Sequence, residues 1–208
     1  MSRGRFITLE GIEGSGKSTL AASLARALAE RGIDVVTTRE PGGTPLAEQV
    51  RALALTRSTE PVPPAAELLL MFAARAIHVA NRVRPALEAG QWVLCDRFTD
   101  ATRAYQGAGR GIDGGLIEQL AAVAHAGLVP DRTLLLDVAP EEGLRRARAR
   151  ADGGDRFEDE ALAFFTRVRE GYLAITNREP ARVRRIDGHR TPEQVRDAAL
   201  AELADLLP

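Results

Sequence analysis

One short stretch near the N-terminus has the residue types and spacing of a loop that binds the phosphates of a nucleotide. It consists of Gly11, Ile12, Glu13, Gly14, Ser15, Gly16, Lys17 and Ser18. Its glycines let consecutive backbone N–H groups and a helix N-terminus face an anion. We expect Lys17 to reach the β- and γ-phosphates of ATP and Ser18 to ligate Mg²⁺. The alternative is a glycine-rich turn that only joins a strand to a helix.

A carboxylate at the end of a later apolar stretch completes this kind of site. Residues 92–96 are apolar up to Asp96, and they predict a buried strand that ends in an acid. Beside a phosphate-binding loop, such a carboxylate holds Mg²⁺, usually through water. The alternative is that Asp96 caps the following helix. Arg97 follows directly, so we expect it at the mouth of the site.

Further candidate residues lie in two other segments. Residues 39–45 form a polar Pro-Gly-Gly loop after a strand, where ligands bind in α/β sheets; a plain connecting turn is the alternative. Phe72 and Arg75 share one face of a helix that begins near residue 65. Spacing alone favours a core aromatic residue beside an arginine that extends to solvent.

An arginine-rich segment predicts a cationic lid at about residues 141–158. A helix from Pro140 carries Arg145, Arg146, Arg148 and Arg150 and then runs into a Gly/Asp stretch with Arg156. Arg146 and Arg150 are four residues apart and share a face, so Arg146 can lie along the nucleotide and Arg150 over the transferring phosphoryl group. Arg148 points away from both. The alternative is a solvated basic face.

Strand and helix patterns alternate along the chain and predict an α/β fold with a parallel sheet covered on both faces. The predicted strands are 6–9, 33–38, 92–96, 133–137 and 182–186. The predicted helices are 19–28, 46–55, one from 65, 116–126, one from 140, 159–177 and 191–207, with a glycine-rich loop at 107–115. We therefore expect a single P-loop domain spanning residues 1–208.

Composition narrows the function classes. The formal net charge of −1 over 208 residues creates no general attraction to nucleic acid or to an anionic membrane. A single cysteine, Cys95, excludes an internal disulfide, and His78, His125 and His189 lack metal-ligand spacing, so core or surface histidines are favoured. No apolar run reaches membrane-spanning length. We expect a cytoplasmic protein with neither a nucleic-acid polymer nor a membrane as partner.

The chain resembles bacterial thymidylate kinases along nearly its whole length. The matching stretches are EGIEGSGKST (10–19), TREPGGT (38–44), MFAAR (71–75), DRF (96–98), AYQG (104–107) and the arginines of 145–150 with Asp155 and Arg156. The resemblance implies ATP-dependent phosphorylation of dTMP to dTDP with Mg²⁺. It also implies the five-stranded parallel sheet of a nucleoside monophosphate kinase and a homodimer built from helices.

The resemblance also implies roles for individual residues. Phe72 stacks on thymine, Arg75 binds its O4 atom, Arg97 holds the acceptor phosphate and Tyr105 crowds the 2′ position of the sugar. The other residues assigned to substrate or catalysis are Glu13, Arg39, Glu40, Thr102 and Gln106.

Two features need comment beside this resemblance. Phe98 stands where the family usually has tyrosine or histidine, so no hydroxyl or imidazole role can be assigned there. The phosphate loop has no arginine at residues 12–15, unlike that of some family members, which transfers the catalytic charge to the lid and favours Arg150, or Arg156 beyond the turn.

Two other function classes remain open at this point. One is a kinase for another nucleoside monophosphate or for a deoxynucleoside. The other is a nucleotide-hydrolysing switch protein. Such proteins recognise guanine through an Asn-Lys-x-Asp stretch, and this sequence has none, which argues against this class.

Overall fold

The computed structural model describes residues 4–56, 59–149 and 161–208. Within them a five-stranded sheet has the order β2-β3-β1-β4-β5, and every neighbouring pair is parallel. The strands are β1 Phe6–Glu10, β2 Val35–Arg39, β3 Trp92–Asp96, β4 Arg132–Asp137 and β5 Val183–Asp187. The predicted parallel sheet is confirmed, and β3 has the predicted bounds.

Helices cover both faces of this sheet. The α-helices are α1 Lys17–Ala29, α2 Pro45–Leu55, α3 Pro64–His78, α4 Arg84–Glu88, α5 Thr99–Thr102, α6 Gly114–His125, α7 Pro140–Arg148, α8 Leu162–Arg178 and α9 Pro192–Ala201. Two π-helical segments, Val79–Val83 and Arg103–Gly109, continue α3 and α5. Leucines of α1 pack with Val195 and Ala199 of α9, whereas Phe165 and Val168 of α8 pack in a second cluster with Ala104. Because both faces are covered, β1 and β4 are buried at every residue.

The sheet register brings the candidate site together. Asp96, the last residue of β3, is paired with Leu9 of β1 on one side and with Arg39 of β2 on the other. The phosphate loop, the acidic strand end and the Pro-Gly-Gly loop therefore leave the sheet at one edge. This is the carboxyl edge, where open α/β sheets bind ligands.

Two predicted boundaries were wrong. The loop predicted at 107–115 is π-helical up to Gly109, and α6 already begins at Gly114. A Cβ on Gly109 would lie 2.6 Å from the ring of Phe164, so this glycine permits close packing on α8 rather than a loop. The last helix ends at Ala201 instead of 207, although its predicted cap is confirmed: the Thr191 hydroxyl accepts from the Gln194 N–H at 3.3 Å.

No helix in the described ranges is both long enough and apolar enough to cross a bilayer.

Candidate active site

The phosphate loop joins β1 to α1 and places a buried lysine at its centre. The Lys17 ammonium donates to the carbonyl oxygens of Gly11 and Ile12, both at 2.9 Å, and lies 3.3 Å from the Ser15 hydroxyl. Burial, with the nearby charge of Arg97, lowers the pKa of Lys17 to about 8. Near neutral pH this group is a cation with few water contacts, which suits a phosphate partner.

Glycine is required where the loop meets the lid helix. Gly14 has φ +71°, and a Cβ there would overlap the carbonyl oxygen of Gly143 in α7. The phosphate loop is thereby packed directly against the helix that leads to the arginine-rich segment.

Ser18 and Asp96 form an oxygen-rich pair beside the loop. The Ser18 hydroxyl lies 3.4 Å from Asp96 Oδ2, and Asp96 Oδ1 is buried without a hydrogen-bond partner in the part of the chain that the structure describes. The described part of the chain contains no cluster of three or more His, Cys, Asp or Glu side chains that could hold a metal ion without other ligands. A hydroxyl and a carboxylate fit Mg²⁺, which takes few protein ligands and completes its shell with phosphate and water oxygens.

A cavity opens next to this pair and contains most of the candidate residues. Glycines and polar residues of the loop meet side chains from α2, α3, α5 and the second π-helical segment. Its lining is Glu13, Gly14, Gly16, Lys17, Ser18, Thr19, Glu40, Pro41, Arg51, Leu55, Met71, Arg75, Asp96, Arg97, Ala101, Thr102, Tyr105 and Gln106.

Glu13 holds two of these side chains in the cavity. It accepts from the Arg97 guanidinium at 2.8 Å and from the Tyr105 hydroxyl at 2.5 Å. The guanidinium of Arg97 also lies 4.7 Å from the centre of the Tyr105 ring. Burial raises the pKa of Tyr105 well above its usual value, so its phenol stays protonated and donates. Arg97 adopts φ +73°, an uncommon conformation for a residue with a side chain.

Arg75 is buried rather than extended to solvent, so the solvent-extended arginine that spacing alone favoured was wrong. Its Nε donates to Glu40 at 2.6 Å and its Nη2 to the carbonyl of Phe98 at 3.0 Å. The guanidinium lies between the rings of Phe72 and Phe98, at 4.9 and 5.1 Å from their centres. The third nitrogen, Nη1, is buried and has no hydrogen-bond partner among the described residues, although Arg75 lines the cavity. Nη1 is therefore an unpaired donor on a residue that lines the cavity.

The assignment of Phe72 to the thymine base stays a prediction, because its ring contacts another helix in the structure. Phe72 packs with Leu68 of its own helix and with Ile117 and Ala121 of α6, whereas its neighbour Met71 lines the cavity. Met71 and Arg75 are four residues apart and share a helix face, which spacing of three did not reveal. The family departure at Phe98 also has a structural account, because this ring is buried against Arg75.

Arg39 is the other substrate-binding candidate that does not line this cavity. Its side chain is more than half exposed and forms an ion pair with Glu48 of α2 at 3.0 Å. Thr102 and Gln106 do line the cavity, and Gln106 donates to the buried Glu67 at 2.8 Å.

A second cavity lies on the other side of the phosphate loop. Arg146 lines it and donates to the carbonyl of Gly188 at 2.9 Å and to Glu142 at 2.6 Å. Ser15, Arg190 and Pro192 line it as well. Arg150, Arg156 and the rest of the predicted lid at 150–158 lie outside the described residues.

Sequence reasoning also missed Arg51, Leu55 and Glu10. Arg51 and Leu55 line the cavity, and their spacing of four on α2 was the available signal. Glu10 is fully buried behind the loop and accepts from the N–H of Phe98 and the hydroxyl of Tyr172, both at 2.7 Å. Burial, then the charge of Asp100, raises the pKa of Glu10 to about 7. A single carboxylate in a strand gives no sequence signal for this environment.

Comparison with known proteins agrees with the geometry. The family described as thymidylate kinase matches residues 9–199. The thymidylate kinase of Alkalilimnicola ehrlichii is 54% identical over 98% of this chain and 94% of its own length, and that of Chromohalobacter salexigens is 55% identical over 100% and 98%. The crystal structure of thymidylate kinase from Ehrlichia chaffeensis superposes with a TM-score of 0.78 at 36% identity, covering 97% of this chain and 99% of that one. The chain therefore belongs to the thymidylate kinase family.

Proposed function

We propose that the main cavity binds dTMP as phosphoryl acceptor while the phosphate loop binds the triphosphate of ATP. The chain is a phosphotransferase, and its reaction is the ATP-dependent phosphorylation of dTMP to dTDP. The observation that carries the assignment of sites is that Lys17 and Arg97 face the same cavity. Lys17 would bind the phosphates of the donor ATP, and Arg97 would bind the phosphate of the acceptor.

Charge determines how these residues act. Phosphoryl transfer between two polyanions depends on neutralisation and in-line alignment rather than on covalent catalysis. Lys17 binds the β- and γ-phosphates, and Arg97, held by Glu13, orients the acceptor phosphate. Arg150 contributes charge to the transferring group from a lid at about 141–158, within a single kinase domain of residues 1–208. Closure of the lid excludes water, which would otherwise hydrolyse ATP.

Mg²⁺ is the proposed cofactor, and Ser18 and Asp96 would hold it. The support is the separation of 3.4 Å between Ser18 Oγ and Asp96 Oδ2, together with the unpartnered Oδ1 of Asp96. The ion supplies charge neutralisation at the phosphate oxygens when bound.

Arg75 and Met71 are the proposed contacts of the thymine base. Nη1 of Arg75 donates to O4, and Met71 covers the ring, while Phe72 supports the guanidinium from behind. Cytosine is disfavoured because its exocyclic amine would place a donor against a donor. A buried unpaired polar group costs about 1–3 kcal/mol.

The second cavity is the proposed site of the nucleoside part of ATP. It lies beside the phosphate loop, and Arg146 lines it with backbone of the loop and of the turn after β5. A guanidinium above this space can stack on an aromatic base.

A homodimer is proposed through the layer formed by α2, α3 and α6. Leu53, Leu69 and Val123 are exposed on these helices, Val123 at 84%. Val123→Glu should yield monomers in light scattering, whereas Leu162→Glu, at an exposed leucine on α8, should keep the dimer. Monomeric wild-type protein would contradict this proposal. A cytoplasmic location is also retained as a prediction, which cell fractionation tests.

A coupled ADP-release assay tests the proposed function. The panel contains dTMP, dUMP, dCMP, dGMP and free thymidine, each with ATP and Mg²⁺, and Lys17→Ala serves as the inactive control. We expect the highest kcat/KM with dTMP and none with thymidine. A preference for another monophosphate, or for thymidine, would assign the chain to one of the other kinase classes.

A further inference from the structure

Glu40 connects the base-reading arginine to a histidine behind it. The carboxylate accepts from Arg75 Nε at 2.6 Å through one oxygen and from His78 Nδ1 at 2.9 Å through the other. All three side chains are at most 4% exposed. Since each oxygen has a partner of its own, the carboxylate is fixed against rotation.

His78 is itself held from the opposite side. Its Nε2 lies 2.7 Å from the hydroxyl of Thr38 in β2. A carboxylate can only accept, so Nδ1 of His78 carries the proton, and in the neutral ring Nε2 accepts from Thr38. A Cβ on Gly43 would lie 2.6 Å from the imidazole, so the Pro-Gly-Gly loop closes over the ring only because this residue is glycine.

The charge state of Glu40 agrees with this geometry. Burial alone raises the pKa of Glu40, but the charge of Arg75 and the hydrogen bond from His78 outweigh it and lower the pKa below its usual value. Glu40 is therefore an anion that must keep both partners to remain buried.

We propose that His78 is a positioning residue for base recognition, because it fixes Glu40 so that Arg75 presents Nη1 to the cavity. His78 is absent from the cavity lining, so it acts through the other two residues. Without the imidazole, the carboxylate can rotate and the guanidinium can leave the orientation in which Nε and Nη2 are paired. The inference rests on the proposed contact between Arg75 and O4 of thymine.

Three variants separate positioning from packing. His78→Leu removes both hydrogen bonds at similar volume, and His78→Asn restores a donor at the place of Nδ1. Thr38→Val replaces the hydroxyl by a methyl group, and it is the test variant if His78→Leu does not fold. The readouts are kcat/KM for dTMP and for dCMP and the KM for ATP.

We expect His78→Leu to narrow the preference for dTMP over dCMP at least fivefold, with the KM for ATP unchanged within about twofold. His78→Asn should keep the wild-type preference, and Thr38→Val should narrow it by a smaller factor. An unchanged preference in His78→Leu, or in Thr38→Val if the former is unfolded, would overturn the proposal, as would a parallel loss with both substrates. Arg75→Ala is the reference: if it leaves the preference unchanged, the assigned base contact is wrong, and the positioning role is overturned with it.

Discussion

The hydroxyl of Ser18 and a carboxylate oxygen of Asp96 lie 3.4 Å apart, although 78 residues separate them in the chain. Parallel pairing of β1 with β3 brings them together, because Asp96 is the last residue of β3 and Ser18 follows β1 at the same edge of the sheet. Asp96→Asn should therefore weaken Mg²⁺ binding specifically. We expect the Mg²⁺ concentration for half-maximal activity to rise by about 10- to 100-fold, the range for a carboxylate that acts on a metal through water. Asp197→Asn, on the exposed face of α9, is the control. If Asp96→Asn needed the same Mg²⁺ concentration for half-maximal activity as this control, the metal assignment would be contradicted.

Lys17 is the only lysine of the sequence, so its ionisation can be measured directly. Its pKa of about 8 means that the ammonium loses its proton as the pH rises through 8. Acylation of Lys17, followed by peptide mass spectrometry, should show a midpoint near that value instead of the ordinary value of about 10.4. ATP should protect Lys17 but not the N-terminal amine. The kcat/KM for ATP should fall over the same pH range, and a profile that stays flat to pH 10 would contradict the role of Lys17.

We expect substitutions of Met71 and of Phe72 to have different effects, one on substrate binding and the other on stability. Met71 lines the cavity, so Met71→Ala should raise the KM for dTMP by about tenfold, which corresponds to about 1.4 kcal/mol of lost contact. Phe72 packs against α6, so Phe72→Leu should lower the melting temperature and change this KM by less than about threefold. If Phe72→Leu raised the KM for dTMP and Met71→Ala did not, Phe72 would be the residue that stacks on thymine.

Tyr105 should control sugar choice through its ring. Ribothymidine monophosphate differs from dTMP only by the 2′-hydroxyl, so the ratio of the two kcat/KM values isolates this contact. We expect Tyr105→Ala to shift the ratio toward the ribonucleotide. Tyr105→Phe removes the hydroxyl and its hydrogen bond to Glu13 but keeps the ring, so it should leave the ratio unchanged. If Tyr105→Ala lowers stability alone, Tyr105 is a packing residue.

We expect some arginines of the lid segment to affect ATP binding and others to affect kcat. Arg146 lines the second cavity, so Arg146→Ala should raise the KM for ATP. Arg148 is exposed on α7, and Arg148→Ala should have little effect. A catalytic arginine is worth about 10³–10⁵ in turnover, which we expect Arg150→Ala to lose in kcat. Small, equal effects at all three residues would indicate a solvated basic face, and a large effect only at Arg156 would move the catalytic charge there.

Local signals were sufficient to predict the loop and the strand that form the proposed donor half of the site. A glycine-rich loop between a strand and a helix, and an apolar strand that ends in Asp96, are each defined by neighbouring residues. The cap at Thr191 is equally local, and the structure confirms it.

Residues whose role depends on packing were harder to predict. The choice between Met71 and Phe72 depends on which face of α3 meets α6, and the ion pair of Arg39 depends on how α2 docks. The resemblance supplied Glu40 and Arg75, but it gave no reason to connect them to His78, 38 residues from Glu40.

Analysis of the reaction products is the most direct test of whether this protein phosphorylates dTMP. Protein, ATP, Mg²⁺ and dTMP are incubated, and the nucleotides are separated by ion-exchange chromatography. We expect dTDP and ADP to appear in equal amounts, neither to appear with Lys17→Ala, and little ADP to form without dTMP. ADP formation at the same rate with and without dTMP, and without any dTDP, would contradict this expectation.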